Sequence, residues 1–518
     1  MNTAHDERTP QAVDVCVIGG GINGAGVARD AVGRGYSVLL VEMGDIASAT
    51  SSWSTKLIHG GLRYLEHNEF ALVRDSLIER ARLLSVASHL VTPLRFVLPH
   101  GSGMRPAWLI RLGLFLYDNL SMSRKVPGSK GIKLSTDPAG EVLKPALRTR
   151  GFTYYDCQVD DVRLTLANLS DAAKRGATIQ PGTKLVEATA SDGIWKLTLE
   201  RQSDGVRYHI HARHVVNTAG PWADKVAHLL TGSNSPIGLR LVRGSHIVVR
   251  KPAGLNDAYL FQQPDERVVF AIPYQNDYAL IGTTDADHTD PSDVHISDEE
   301  TDYLLKAANL YLDRPVTRDD IAWTFAGVRP LLDDGTDNAQ EVTRDYKILT
   351  SKHLKAGLTN VFGGKLTTFR TLSQKVVDDL AELTKPSGSG MESGWTGYTA
   401  FDDAFVDDVA RGKVLEQVQT QLSQALSVVD AGAHAERLVQ MYGRSAQSIA
   451  GIIAGGNEQA LMCGLFPSEI EHMVEEEWAR TADDVLFRRS KLGIDQPKSA
   501  FDEVQAILDN LLAKRAAA

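Results

Sequence analysis

Residues 13–42 read V-D-V-C-V-I-G-G-G-I-N-G-A-G-V-A-R-D-A-V-G-R-G-Y-S-V-L-L-V-E, and no other stretch constrains the fold of the chain as much. Val13, Val15, Val17 and Ile18 form a short β-branched run that predicts a buried parallel strand. Gly19, Gly21 and Gly24 then supply G-x-G-x-x-G. The first glycine permits the tight turn, the second lets backbone approach a pyrophosphate, and the third lets helix and strand pack closely. Ala25, Val27, Ala28 and Ala31 of the following helix can lie on the sheet, while its N-terminal amides favour a diphosphate. Gly33 and Gly35 end that helix, 36–41 is a second strand, and Glu42 closes it. An acid about 20 residues after the glycines can accept hydrogen bonds from ribose hydroxyls. With all these parts in register, the stretch points to adenine-dinucleotide binding.

A chain of 518 residues is long enough for two or three domains. Its 43% hydrophobic and 23% charged residues are ordinary for a soluble globular protein. The net charge of −10, without a basic recognition helix or an aromatic stacking platform, argues against nucleic acid as a partner. Cys16, Cys157 and Cys463 are far apart and have no metal-ligand spacing, which fits a reducing compartment. Residues 1–11 are polar and lack an apolar h-region, so no secretory signal is expected. No stretch of about 18 or more uncharged apolar residues occurs, so any membrane contact is expected at the surface.

Residues 44–61 form a polar loop whose Ser48, Thr50, Ser51 and Ser52 suit a phosphate or ribityl chain. H-G-G-L-R-Y follows at 59–64, with two glycines that let backbone pass close to a flat ligand. Residues 66–91 are expected as one amphipathic helix ended before Pro93. An apolar block at 108–117 is flanked by Arg105, Arg111, Arg124, Lys125, Lys130 and Lys133. Three readings stand for it: a cap over a substrate pocket, a segment dipping into a membrane interface, or an internal helix of a second domain with a solvated basic flank.

Residues 161–174 read as helix and 178–199 as a meander. The strand at 214–219, closed by Gly220-Pro221-Trp222, lies where a dinucleotide fold returns to its cofactor. Cofactor contacts recurring across hundreds of residues favour a flavin over a compact nicotinamide site. From 237 to 284 the period changes to two, which predicts an antiparallel substrate floor with polar spots at Gly244-Ser245-His246 and Thr283-Thr284-Asp285. A helix is expected over 298–312, and W-T-F-A-G-V-R-P at 323–330 holds Arg329 rigidly. N-V-F-G-G-K-L-T-T-F-R at 360–370 is a second Gly-rich turn opening a helix, whose N-terminus can stabilise the negative charge of a reduced flavin.

The fold class is α/β: a Rossmann-like FAD-binding domain, an antiparallel-sheet substrate domain and a C-terminal all-helical domain. The boundaries are 10–95, 150–235 and 340–385 for the discontinuous FAD-binding domain, and 96–149 with 236–339 for the substrate domain. A linker follows at 386–399, and 400–518, with helical periodicity alone, form an accessory domain.

The motifs G-G-G-I-N-G-A-G, T-S-S-W-S-T-K-L-I-H-G-G-L-R-Y-L-E, G-S-H-I-V-V, W-T-F-A-G-V-R-P and F-G-G-K-L-T-T-F-R resemble those of the aerobic, FAD-dependent glycerol-3-phosphate dehydrogenases. That family belongs to the D-amino-acid-oxidase-like flavoprotein superfamily. The likeness runs through E-W-A-R-T-A-D-D-V-L-F-R-R-S-K-L-G at 477–493 and so covers nearly the whole chain. The resemblance implies oxidation of sn-glycerol 3-phosphate to dihydroxyacetone phosphate, with electrons passing from FAD to a membrane quinone. It implies a cytoplasmic chain held peripherally on the cytoplasmic face of the membrane. The cofactor positions it implies are Gly19, Gly21, Ile22, Asn23, Gly24, Glu42, Thr50, Ser51, Ser52, Lys56, Leu57, Ile58, Gly220, Gly363, Gly364, Lys365, Leu366, Thr367 and Thr368. Trp53 departs from the pattern, being bulky where small residues are usual.

The residues agree with that chemistry. A phosphate monoester dianion needs several fixed cations or donors, and Arg63, Tyr64, Arg329 and Lys365 are the candidates. The C2 alcohol must lose a proton as hydride leaves, and His59, then His246, are the candidate bases. A glycerol-3-phosphate oxidase that uses O2 and releases peroxide remains the alternative. An amine or amino-acid oxidase would need one cation for a carboxylate, which leaves Arg63 and Lys365 surplus. A non-enzymatic, flavin-bound membrane or partner-binding module would leave His59, Arg329 and Lys365 without purpose. The sequence shows no metal cluster and leaves a homodimer open.

Overall fold

The computed structural model describes residues 11–101, 105–121, 123–233, 237–265, 267–333 and 344–517. Residues 1–10, part of the stretch expected to carry no secretory signal, lie outside the described residues, as do the domain boundaries at 235/236 and 339/340.

The first sheet is built around the glycine fingerprint. Ala12–Ile18 is the buried strand expected there, and it pairs in parallel with Val38–Glu42 on one side and Arg207–Asn217 on the other. The path runs Tyr346–His353, Ala356–Gly363, Arg207–Asn217, Ala12–Ile18, Val38–Glu42, Thr178–Pro181. Thr183–Ser191 and Ile194–Arg201 form an antiparallel hairpin attached to Arg207–Asn217, the meander read from the alternation. Helix Ile22–Gly33 packs on Asp161–Lys174 and Phe369–Ala381. Val27, Ala28, Ala31, Leu166, Leu169, Leu372 and Val376 close the core between them and the sheet.

The second sheet has ten strands and is mostly antiparallel. Its longest pairing joins Leu239–Arg250 to Ile321–Leu332, and Tyr278–Gly282, Val268–Tyr274 and Ala258–Gln262 extend it. Val91–His100, Arg150–Val159 and Leu57–Ile58 continue the same sheet. Strands on both sides of the expected 95/96 and 149/150 boundaries therefore share one sheet, because hydrogen-bonded edges recruit strands without regard to sequence position. The 66–91 helix is also shorter than expected. Leu62–His67 is a 3₁₀ turn, Asn68 adopts a left-handed φ of 60°, Phe70–Val86 is the helix, and Val91 begins a strand.

Residues 386–399 behave as a strap. The Gly388 and Met391 amides donate to the Gly35 and Gly33 carbonyls at 2.9 and 2.8 Å, and Trp395 is fully buried against the first helix. Beyond it, helices Asp408–Leu422, Val428–Tyr442, Ala446–Gly456, Pro467–Glu475 and Lys498–Ala517 pack around Leu438, Phe466, Met473, Val485 and Leu508. The buried Arg163 guanidinium ties this domain to the first sheet's helices, donating to Glu477 at 2.6 Å and to the Met441 carbonyl.

The apolar block at 108–117 forms helix Ala107–Asn119. Leu114 and Tyr117 point inward, whereas Trp108 is 68% exposed, Phe115 56% and Leu112 47%. The helix thus presents much of its apolar surface to solvent, the unusual case for a helix of this composition. Among the described residues no helix is long and apolar enough to cross a membrane.

Candidate active site

One cavity of about 920 Å3 runs from the glycine fingerprint to the second sheet. At the fingerprint end, glycine is required by contact. A Cβ on Gly19, whose φ is +109°, would stand 2.6 Å from the Thr218 carbonyl oxygen, and one on Gly24 would stand 1.9 Å from the Gly19 oxygen. Gly19 and Gly21 line the cavity; Gly24 instead seats the helix on the strand. Ser51 Oγ accepts the Ile22 amide at 2.9 Å, so the hydroxyl loop lies against the helix N-terminus. Glu42 accepts the Gly20 amide at 2.6 Å and the Gly44 amide at 2.8 Å. Burial pushes its carboxyl up despite those bonds. A carboxylate has about four lone-pair directions, so acceptor capacity is left for ribose hydroxyls.

Halfway along, the two Gly-rich turns meet. The His59 amide and carbonyl both bond Thr367 Oγ1, at 3.2 and 3.3 Å. Asn23 Nδ2 donates to the Gly363 carbonyl at 3.3 Å, and Gly363 and Gly364 adopt φ of 75° and 103°. Thr50 Oγ1 reaches the Val328 carbonyl at 2.6 Å and so joins the hydroxyl loop to the second sheet. Trp53, the departure noted in the sequence, packs its Cβ over Gly327 and donates from Nε1 to the Ser48 carbonyl at 3.1 Å. It lines the cavity as a wall, made possible because residue 327 has no side chain.

The far end is ringed by charge. Arg63, Tyr64, Arg329 and Lys365 all line it, together with His59. The Lys365 ammonium sits 3.9 Å from the centre of the Tyr64 ring and has no hydrogen-bond partner, and burial lowers its pKa to about 7. Burial likewise holds the His59 imidazole below its ordinary value, against the opposing pull of Asp156. Arg329 donates to Asp285 at 2.9 Å and to Thr283 Oγ1 at 3.0 Å. Asp285 also receives Arg344 at 3.3 Å. Sequence reasoning missed Arg344 and gave Asp285 no role. A lone arginine before a strand carries no local signal: the pairing of 239–250 with 286–288 and 321–332 brings Asp285 to Arg329, and Arg344 reaches Asp285 from just before 346–353, a strand of the other sheet.

Several expected positions stand away from the cavity. His246 is fully buried, stacked on Phe325 with ring centres 4.8 Å apart, and its Nε2 meets Thr55 Oγ1 at 3.1 Å. Thr55 lines the cavity, and His246 stands behind it. Lys56 turns inward to Asp161, at 2.9 Å, and to the Ser52 carbonyl. Ser52 donates to the Ala49 carbonyl, Ile58 is buried in a strand opposite Cys157, and Thr368 is buried at the start of its helix. These four hold the frame, whereas Ile22, Asn23, Thr50, Ser51, Leu57, Gly220, Gly363, Gly364, Leu366 and Thr367 line the cavity.

A dinucleotide cradle continuous with a cation-ringed pocket defines a dinucleotide-dependent redox protein. The family model described as FAD dependent oxidoreductase matches residues 14–370, and that of the C-terminal domain of alpha-glycerophosphate oxidase matches residues 410–516. The chain is 44% identical over 500 residues to glycerol-3-phosphate dehydrogenase of Pseudomonas aeruginosa, covering 95% of each chain. It is 43% identical to D-erythritol 1-phosphate dehydrogenase of Brucella abortus, covering 93% of this chain and 95% of the relative. The solved structure of glycerol-3-phosphate dehydrogenase from Bacillus halodurans, complexed with FAD, superposes with a TM-score of 0.76 at 27% identity over 98% and 92% of the two chains.

The chain belongs to the FAD-dependent oxidoreductase family, and its cofactor is FAD. The residues present fit that cofactor: the glycine cradle leaves room for a pyrophosphate, and Asn23 Oδ1 and Lys365 Nζ are buried polar atoms left without a partner along the same cavity. Gly21→Val places a branched side chain against Ser51 Oγ, which a Cβ alone would approach to 3.0 Å. The variant is expected to purify as colourless apoprotein, and a full visible flavin spectrum would contradict the cradle.

Proposed function

We propose that this enzyme oxidises sn-glycerol 3-phosphate to dihydroxyacetone phosphate and passes the electrons to a membrane quinone. The observation that carries the reading is the far end of the cavity, whose lining among the described residues includes Arg63, Arg329, Arg344 and Lys365 with the carboxylates Asp285 and Glu69. A surplus of positive charge in a half-buried pocket suits a dianion, and guanidinium groups fixed by Asp285 and Thr283 bind phosphate without losing further freedom. Bound FAD supplies the hydride acceptor. His59, neutral at physiological pH because burial lowers its pKa, can take the C2 hydroxyl proton. The helix Phe369–Ala381 directs its N-terminal end toward the same region and favours negative charge there.

Two narrower points have their own support. The Brucella relative acts, by its name, on a four-carbon polyol phosphate, so chain length beyond the phosphate is the second substrate reading. The C-terminal match to an oxidase family keeps O2 as the alternative acceptor. Peroxide yield with and without a quinone analogue separates the acceptors. Quinones are confined to bilayers, and the exposed apolar helix Ala107–Asn119, flanked by Arg105, Arg124 and Lys125, supports peripheral attachment at the cytoplasmic face.

Anaerobic mixing with sn-glycerol 3-phosphate should bleach the flavin, with glycerol far slower. Arg329→Ala should lower kcat/KM by about 10- to 100-fold, the worth of a charged hydrogen bond. His59→Asn should slow single-turnover reduction by about 100-fold; unchanged rates in both variants would overturn the reading.

The pH profile follows from Lys365. Its cationic form binds the phosphate, and that form is lost in the free enzyme as pH rises through about 7. Therefore kcat/KM should fall above that pH, and Lys365→Arg, which keeps its proton, should flatten the alkaline limb.

For the surface helix, replacing Trp108, Leu112 and Phe115 by Ser should reduce co-sedimentation with anionic liposomes while soluble-dye reduction persists. Removing Arg124 and Lys125 should weaken binding further, by about 1 kcal/mol per charge. Undiminished sedimentation would place the membrane contact elsewhere.

A further inference from the structure

The segment 477–493 is as distinctive as the cofactor motifs, yet none of its residues lines the cavity. It folds as a π-helical turn, Asp484–Arg489, a rare conformation that recurs at functional positions. Arg489 is fully buried and spans two domains: Nη2 donates to Asp45 Oδ1 at 2.7 Å and to the Glu477 carbonyl at 2.6 Å, while Nη1 donates to Asp45 Oδ2. Arg488 donates from Nε to the same Asp45 oxygen and from Nη2 to Asp484. Asp45, Asp484, Arg488 and Arg489 thus form a neutral quartet.

Asp45 lies on the loop that follows Glu42. Its own carboxylate points away from the cavity, but Met43, Gly44, Ala47 and Ser48 on either side line it. The loop is held in an uncommon shape: Ala47 has a φ of 59°, and its amide donates to the Gly20 carbonyl at 3.1 Å. The other end of the hydroxyl loop reaches the same turn by a second route. Lys491 donates to Asp160 at 2.5 Å, and the adjoining Asp161 receives both Lys56 and Ser54. Fixing a loop costs about 1–2 kcal/mol per residue, and a site that has met this cost before binding holds its ligand more tightly.

We propose that the C-terminal helical domain sets the affinity for FAD, with Arg488 and Arg489 as positioning residues that hold Asp45 and so keep loop 43–48 shaped for the cofactor's adenosine half. Neither arginine touches the cavity, so the effect should appear in cofactor binding.

The test titrates full-length apoprotein with FAD and records the melting temperature of each apoprotein. Wild-type apoprotein must regain the flavin spectrum, which keeps a failure of the flavin reading distinguishable from a failure of the clamp. Asp45→Asn and Arg489→Met are each expected to weaken FAD by about 10- to 100-fold. Each also leaves a charge uncompensated, so each lowers the melting temperature. In the double variant Asp45→Asn/Arg489→Met, Arg488 and Asp484 remain a balanced pair. Its melting temperature should recover while its FAD affinity stays weak. A purely structural role predicts the opposite: unchanged FAD dissociation constants in the singles, or affinity that returns together with stability in the double, and either result overturns the proposal. Should Arg489→Met fail to fold, Arg488→Gln, at the edge of the quartet, carries the same expectation of weakened FAD binding, and an unchanged dissociation constant there overturns it equally.

Discussion

The structure depends on how closely one helix can approach its neighbours. A Cβ on Gly24 would meet the Gly19 oxygen, one on Gly26 would meet Ser373 and Phe369, and one on Gly33 would meet Trp395. The helix Ile22–Gly33 therefore touches the sheet, the helix Phe369–Ala381 and the strap at 386–399 at distances only glycine allows. Those glycines cost helix propensity, about 1 kcal/mol each relative to alanine, and the burial around them offsets the loss. Because the helix sits so deep, its N-terminus is brought to the cavity along with the second Gly-rich turn, and the two turns form one ligand surface.

Charge at the other end is arranged economically. Asp285 accepts both Arg329 and Arg344. One carboxylate thereby fixes two guanidinium groups and still leaves the pocket with positive charge. Lys365 has no such anchor, and burial makes its ammonium easy to deprotonate. In the proposed anion site the arginines are the constant part and the lysine is the adjustable part.

Local patterns in the sequence were readable where a residue's role is set by its immediate neighbours. The strand–glycine–helix–strand unit, the antiparallel run at 239–282 and the second Gly-rich turn all stand as expected, since period and turn chemistry are local properties. The readings that changed are those decided by distant contacts. His246, expected at a polar strand end, lies inside the strand Leu239–Arg250, where its ring stacks on Phe325 and its Nε2 meets Thr55. Lys56 sits among cofactor-facing residues in sequence, and Asp161, 105 positions away, draws it inward. The helix at 66–91 had apolar spacing throughout, yet Asn68 breaks it at one end and sheet pairing with 150–159 claims residues from 91 onward.

The bond between the His59 backbone and Thr367 Oγ1 spans 308 residues. For a chain being made from its N-terminus, the glycine cradle emerges early, but the wall that completes the cavity emerges only after more than two-thirds of the protein has been synthesised. Until the second Gly-rich turn has been made, a growing chain lacks one wall of the flavin site. The order in which the two halves of the cavity lie along the chain thus sets the earliest point at which a complete flavin site can form.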